Sequence, residues 1–265
     1  MMKLPYFTEQ GTGDVAVFLL HGVGGGHAAW AQTQPVLARE GFRSIAWDAP
    51  GYGASHLVNP YTTAELAKAL LALITHIGAR RNVLLGHSMG GMIAQEAAAL
   101  APSAIHGLIL FATSAAFGKP GGAWQQQFLG SRFAPLDAGL GMAGLAPGLV
   151  QAMIAPNAGL TGDSNVTAAA VALMSGVPES TYRAALSAIV SFNRLDELQT
   201  IGVPTLCLAG EFDTNAPPAV MQKMAARIPN ATYQCLPSVG HLGNLESSAV
   251  FNTAVLDFLK KHFAA

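Results

Sequence analysis

Six short apolar runs recur along the chain: VAVFLL (15–20), RSIAW (43–47), NVLL (82–85), GLILFA (107–112), PTLCLA (204–209) and ATYQCL (231–236). Segments long enough for a helix separate them. Strands that read as near-continuous apolar runs are buried on both faces, and parallel pairing needs crossover connections that are usually helical. The alternation therefore predicts an α/β fold, a mostly parallel twisted sheet flanked by helices. One crossover shows its signals openly. Thr62 with Glu65 makes a capping box, apolar positions run on through Ile77, and Gly78 is placed to stop the helix.

The alternation breaks between Thr113 and Val203, a stretch rich in Gly, Ala, Leu and Met with helical segments near 147–154, 166–174 and 179–192. A structureless loop of that length is uncommon in a compact domain. It is expected to be a helical cap (113–203) inserted between a first core part (1–112) and a second (204–265). Hydrophobic residues make up 51% of the chain, charged residues 11%, and the formal net charge is -1. That leaves no basic footprint for nucleic acid or for an anionic membrane surface, so a small-molecule substrate is expected. The charge-free stretch Ala138 to Gly162 is too often interrupted by Gly and Pro to span a bilayer. Cys207 and Cys235 both fall in runs that read as buried strands, and MMKLPYFTEQ lacks the apolar core of a signal peptide. A cytoplasmic location is expected from both.

Ligands of open parallel sheets bind outside the carboxyl ends of the strands. Ser88 falls at such an end, in Gly86-His87-Ser88-Met89-Gly90. This is G-x-S-x-G, a sharp strand-to-helix turn that strains the serine backbone and exposes its hydroxyl. A serine hydroxyl is a poor nucleophile near neutral pH and needs a base, which in turn needs an acid to orient it. His241, in SVGHLGNLE beyond the last predicted strand, is the candidate base. Asp213, in GEFDTNAPP after PTLCLA, is the candidate acid, with Glu211 as the alternate. Acyl transfer also requires two N–H groups aimed at the developing oxyanion. Met89, after the serine, and Val23, in the glycine-rich LLHGVGGGHAAW, are expected to supply them. His21 is read as a structural hydrogen-bonder, Glu246 as a tie on the histidine loop, and Trp30 and Trp47 as packing residues. No cofactor and no metal are called for.

HGVGGG, WDAPGYGAS (47–55), GHSMGG, AGEFD and GHLGNLE, in that order, resemble the α/β-hydrolase superfamily. Within it, VPESTYRAALSAIVSFNRLDELQTIGVPTLCLAGEFD is similar to the 3-oxoadipate enol-lactonases and related carboxylesterases. The resemblance implies an α/β-hydrolase fold and cofactor-independent Ser-His-Asp cleavage of an ester or lactone of a small carboxylic acid. It also implies that Trp124 sits where those enzymes carry a cap tryptophan. Lys119, Arg132, Arg183 and Arg194 are the cations such a cap offers an anionic substrate, and Met142 and Met153 are candidates to line the pocket. Carbon–carbon bond hydrolases, perhydrolases and small-molecule receptors share the scaffold and remain open readings. A dehydrogenase reading rests on Gly24, Gly26 and Ala29 in G-x-G-x-x-A, with Asp48 ending the next strand. It suffers because the first predicted strand stops at Leu20, ahead of the fingerprint.

Overall fold

The computed structural model describes residues 3–119, 121–156 and 165–263. Seven strands form one sheet: β1 (Phe7–Gln10), β2 (Val15–Leu20), β3 (Arg43–Trp47), β4 (Arg81–His87), β5 (Gly107–Phe111), β6 (Thr205–Gly210) and β7 (Ala231–Leu236). Their order is β1-β3-β2-β4-β5-β6-β7, with β1 antiparallel to β3 and every other pair parallel. The six predicted runs are six of these strands. The seventh, β1, has the sequence FTEQ and is only half-buried, so no apolar run announces it.

Alternate residues of the central strands feed two separate cores, as the two-residue period of a strand requires. Phe18, Leu20, Ile45, Leu84 and Leu110 pack on one face with Leu66, Leu70 and Leu73 of α2 (Thr63–Ile77), Ile93 of α3 (Met89–Leu100) and Met221 of α8 (Pro218–Ala225). Val17, Leu19, Leu85, Ile109 and Leu208 pack on the other with Leu37 of α1 (Gln34–Arg39) and Phe251, Val255 and Leu259 of α10 (Ser248–Phe263). The predicted α2 boundaries hold. The Glu65 N–H donates to Thr62 Oγ1 at 3.2 Å, and Gly78 closes the helix with φ 62°. The outer strand β7 departs from expectation. It covers the sheet edge, so Cys207 of β6 is buried, its thiol pushed up to about 12 by burial, while Cys235 is exposed.

Between β5 and β6 the chain forms α4 (Ala123–Asp137), α5 (Gly141–Met153), α6 (Val166–Ser175) and α7 (Glu179–Ile189). The last three answer the predicted helical segments. Helix α4 carries no such signal, because only Gln125 and Leu136 in it are buried and no apolar stripe marks its face. Among the described residues no helix is long and apolar enough to cross a membrane.

Candidate active site

Ser88 joins β4 to α3 with φ 52°, a left-handed backbone that costs a non-glycine residue about 1–3 kcal/mol. Its surroundings hold it there. The Ser88 N–H donates to the Phe111 carbonyl at 3.0 Å, and its own carbonyl accepts from Thr113 Oγ1 at 2.7 Å and from the Gly91 N–H at 2.9 Å. The glycines two residues to either side are steric necessities. A Cβ on Gly86 would stand 2.4 Å from the Gly90 carbonyl oxygen, and one on Gly90 would stand 2.1 Å from that of Leu20.

Asp213 and His241 arrive from loops beyond β6 and β7. Both are buried, and the His241 Nδ1–H donates to Asp213 Oδ2 at 2.8 Å. The other carboxylate oxygen accepts the N–H groups of Asn215 at 2.8 Å and Ala216 at 3.0 Å. Burial alone would raise the pKa of this carboxyl. The charge and hydrogen bond of His241, together with the two amides, outweigh it and hold the group below its ordinary value. Glu211, the alternate acid, is exposed and accepts the Ser238 N–H at 2.8 Å instead.

Two other histidines brace the site without charge. His87 stacks on Phe111, donates from Nε2 to the His241 carbonyl at 2.9 Å, and is pushed down to about 3 by burial. His21 donates from Nδ1 to the Gly22 carbonyl, accepts the Ala49 N–H at Nε2, and is pushed down to about 4 by burial. Glu246 accepts the N–H groups of Gly240, Leu242 and Ala155, clamping the loop on both sides of His241. Burial raises its pKa against the pull of those three amides. These arrangements match the roles expected of His21 and Glu246. Trp30 and Trp47 are buried in the two cores, as expected of packing residues.

The glycine-rich loop lies directly over the elbow. A Cβ on Gly22 would sit 3.0 Å from His87 Nδ1 and 3.1 Å from Ser88 Cβ. The Val23 carbonyl accepts the Tyr52 hydroxyl at 3.0 Å, and among the described residues no acceptor takes the N–H of Val23 or of Met89. Only a four-residue 3-10 turn, His27–Trp30, follows these glycines. Asp48 is buried and its Oδ1 accepts the backbone N–H and Nδ1–H of His27. The stretch therefore builds neither the phosphate-binding helix nor the ribose-facing acid that a dinucleotide fingerprint needs.

A cavity of about 510 Å³ opens above Ser88 and His241, lined also by Val23, Trp124, Arg132 and Met153. Met142 does not line it. That side chain is 6% exposed and turned into the buried cluster beneath the inserted helices. Arg183 is committed to Asp137 and Glu179, and Arg194 to Glu96 and Glu197. Neither lines the cavity, and nor does Lys119. Phe117, Phe128 and Tyr182 do, and sequence reasoning passed over all three. Phe128 lies one turn beyond Trp124 and Arg132 one turn beyond Phe128, a spacing that becomes informative only once α4 is known to be a helix. Among the described residues Ser88 Oγ makes no hydrogen bond to His241. Catalytic contacts of this kind commonly tighten only when substrate binds. Among the described residues no three His, Cys, Asp or Glu side chains gather to hold a metal ion.

The family model described as alpha/beta hydrolase fold matches residues 15–248. A protein of Mycobacterium tuberculosis named "Putative non-heme bromoperoxidase BpoC" is 30% identical over 97% of this chain and 98% of its own. Among solved structures, a thermophilic esterase from Thermogutta terrifontis superposes with TM-score 0.85 at 28% identity, covering 97% of this chain and 93% of that one. The enol-lactonase from Burkholderia xenovorans LB400 gives 0.84 at 25% identity, covering 96% of each.

Proposed function

The chain is a hydrolase that belongs to the α/β-hydrolase family, and from that premise we propose that it cleaves an ester or lactone of a small carboxylic acid through Ser88, His241 and Asp213. One observation carries the reading. His241, paired with buried Asp213 at 2.8 Å, lines the same cavity as a serine held at positive φ. Asp213 fixes the imidazole so that Nδ1 carries the proton and Nε2 is free to accept one. Ser88 Oγ attacks the carbonyl carbon and gives its proton to His241 Nε2. The oxyanion that forms is received by the N–H groups of Val23 and Met89, each such donor contributing about 3–4 kcal/mol at the transition state. The imidazolium then protonates the leaving alcohol, and a water molecule repeats the sequence on the acyl-enzyme, returning Ser88.

Four features support an ester or lactone: the apolar cavity, the neutral struts His87 and His21, the likeness to an esterase and the likeness to an enol-lactonase. Steady-state hydrolysis of p-nitrophenyl acetate and butyrate tests the proposal. Wild type is expected to turn over continuously, and Ser88→Ala to lose a factor of about 10⁴ or more in kcat while staying folded. Equal turnover by the two proteins overturns the assignment.

A further inference from the structure

The glycine-rich loop over the elbow contains a closed turn. The Gly25 N–H donates to the Gly22 carbonyl at 3.0 Å, so Val23 and Gly24 are the two central residues, and Gly22 to Gly25 all line the cavity. Neither central residue stands at positive φ, which leaves type I among the standard turns that this bond closes. Both central residues are then helix-like, and their N–H groups point to one side, as in the first turn of a helix. On the reading above, that is the side on which the oxyanion forms.

A turn with glycine at its third position is not held by its closing bond alone. Rotating the central peptide, Val23–Gly24, converts type I to type II with the same Gly25-to-Gly22 bond, and needs positive φ only at Gly24, which glycine adopts freely. The rotation would bring the Val23 carbonyl to the side of the Val23 N–H, setting a partial negative charge where an oxyanion needs donors. The preceding peptide has two anchors. The Gly22 carbonyl accepts His21 Nδ1–H at 2.8 Å as well as the Gly25 N–H, so the plane that carries the Val23 N–H is fixed whichever way the central one turns. The central peptide has a single anchor on its oxygen: among the described residues only the Tyr52 hydroxyl donates to the Val23 carbonyl, at 3.0 Å.

Tyr52 is itself held in place. It sits in WDAPGYGAS between Gly51 and Gly53, both at positive φ, is 1% exposed and does not line the cavity, so the Val23 carbonyl is drawn toward the core. Its ring stands edge-on to that of His21, with centroids 4.7 Å apart. Burial, with the phenols of Tyr61 and Tyr182 nearby, holds its pKa well above the ordinary value, so the hydroxyl stays a donor at any working pH.

We propose that Tyr52 is a positioning residue for the oxyanion site, its hydroxyl holding the Val23–Gly24 peptide with the carbonyl turned away from the cavity. The consequence for turnover rests on the hydrolase reading above. The orientation of the peptide does not. Tyr52→Phe keeps the ring and removes the anchor. With p-nitrophenyl butyrate its kcat is expected to fall about tenfold, with KM within a factor of about two, because the hole acts on the transition state.

A general loosening of the core would cost the same factor in any background, so the discriminating readout is a cycle with Gly24→Ala. A Cβ there disfavours the flipped turn, and its one close contact is the terminal methyl of Met174, 2.3 Å away at the far end of a flexible side chain. Adding Tyr52→Phe to Gly24→Ala is therefore expected to cost less than about threefold. Equal factors in the two backgrounds overturn the proposal. A crystal structure of Tyr52→Phe reads the peptide without turnover. Gly24 at positive φ in all or part of the molecules supports the anchor, and the unflipped orientation throughout overturns it. Turnover undiminished in Ser88→Ala would sink the hydrolase reading alone.

Discussion

On the sheet side of the cavity Asp213 and His241 are 3% and 5% exposed, and their side-chain polar atoms are all engaged among the described residues except His241 Nε2. On the opposite side Trp124 is 57% exposed, and the helix that carries it buries only Gln125 and Leu136. Gly121 and Gly139, both at positive φ, stand just before and just after that helix. The groups read as catalytic are thus fixed by hydrogen bonds and backbone contacts before substrate arrives. Those that would meet the variable part of a substrate sit on a lightly anchored element, of the kind that opens locally at low free-energy cost. Chemistry needs positions held within fractions of an ångström, whereas recognition tolerates a wall that adjusts.

The sharpest way to break the comparison is to disturb the fixed side with no change of shape. Asp213→Asn keeps the volume but invites the wrong imidazole tautomer, and kcat is expected to fall by about 10⁴. Glu211→Gln, two residues away and exposed, is expected to leave kcat within a factor of about two, since surface changes away from a site cost little. Asp213→Asn also carries a pH signature. The Asp213 pKa is lower in the folded protein than its unfolded value of about 3.9, so its ionised form contributes stability above that pH. The contribution is lost as pH falls through the depressed folded value. Urea midpoints measured from pH 6 down to pH 3 should therefore decline less steeply in Asp213→Asn than in wild type. A steeper decline would contradict the assigned direction.

Two glycine substitutions compare the sides by stability alone. In Gly90→Ala the new Cβ meets the Leu20 carbonyl oxygen at 2.1 Å, a backbone atom that cannot swing aside, so a loss of about 3 kcal/mol or more, or failure to fold, is expected. In Gly130→Ala, within α4, nothing lies within 4 Å of the new methyl, and alanine's helix propensity is expected to stabilise by about 0.5–1 kcal/mol. Urea unfolding of both variants checks the pair. Two losses of similar size would mean that α4 is as tightly built as the elbow.

The same contrast decides what could be read from the chain. The runs that became β2, β3 and β7 start and stop where expected, and Gly86-His87-Ser88-Met89-Gly90 became the strained turn. Burial on two faces and hard steric limits both write themselves into composition. Asp213 and His241 were legible because each follows a strand end. Readings failed where burial is one-sided or partial: half-exposed β1, exposed Cys235 on the edge strand β7, and α4 with no apolar stripe. Met142 was misplaced for a related reason. A methionine in an apolar helix serves core or cavity equally well, and only packing turned it inward. Tyr182 gave no signal because only the fold brings it to the cavity that Arg132, fifty positions earlier in the chain, also lines.

Trp124 offers the smallest effect and the finest test of the comparison. Its ring centroid lies 5.1 Å from that of Phe117 and 5.7 Å from that of Phe128, so its contacts are aromatic neighbours and the cavity mouth. Because more than half of the side chain is in water, Trp124→Ala removes little buried area, and stability is expected to change by no more than about 1 kcal/mol. If the residue touches substrate, KM for p-nitrophenyl butyrate should rise several-fold with kcat nearly unchanged, the signature of lost uniform binding. A fall in kcat at constant KM would instead tie α4 to the transition state, and the division between a fixed chemical side and an adjustable recognition side would fail at its most exposed residue.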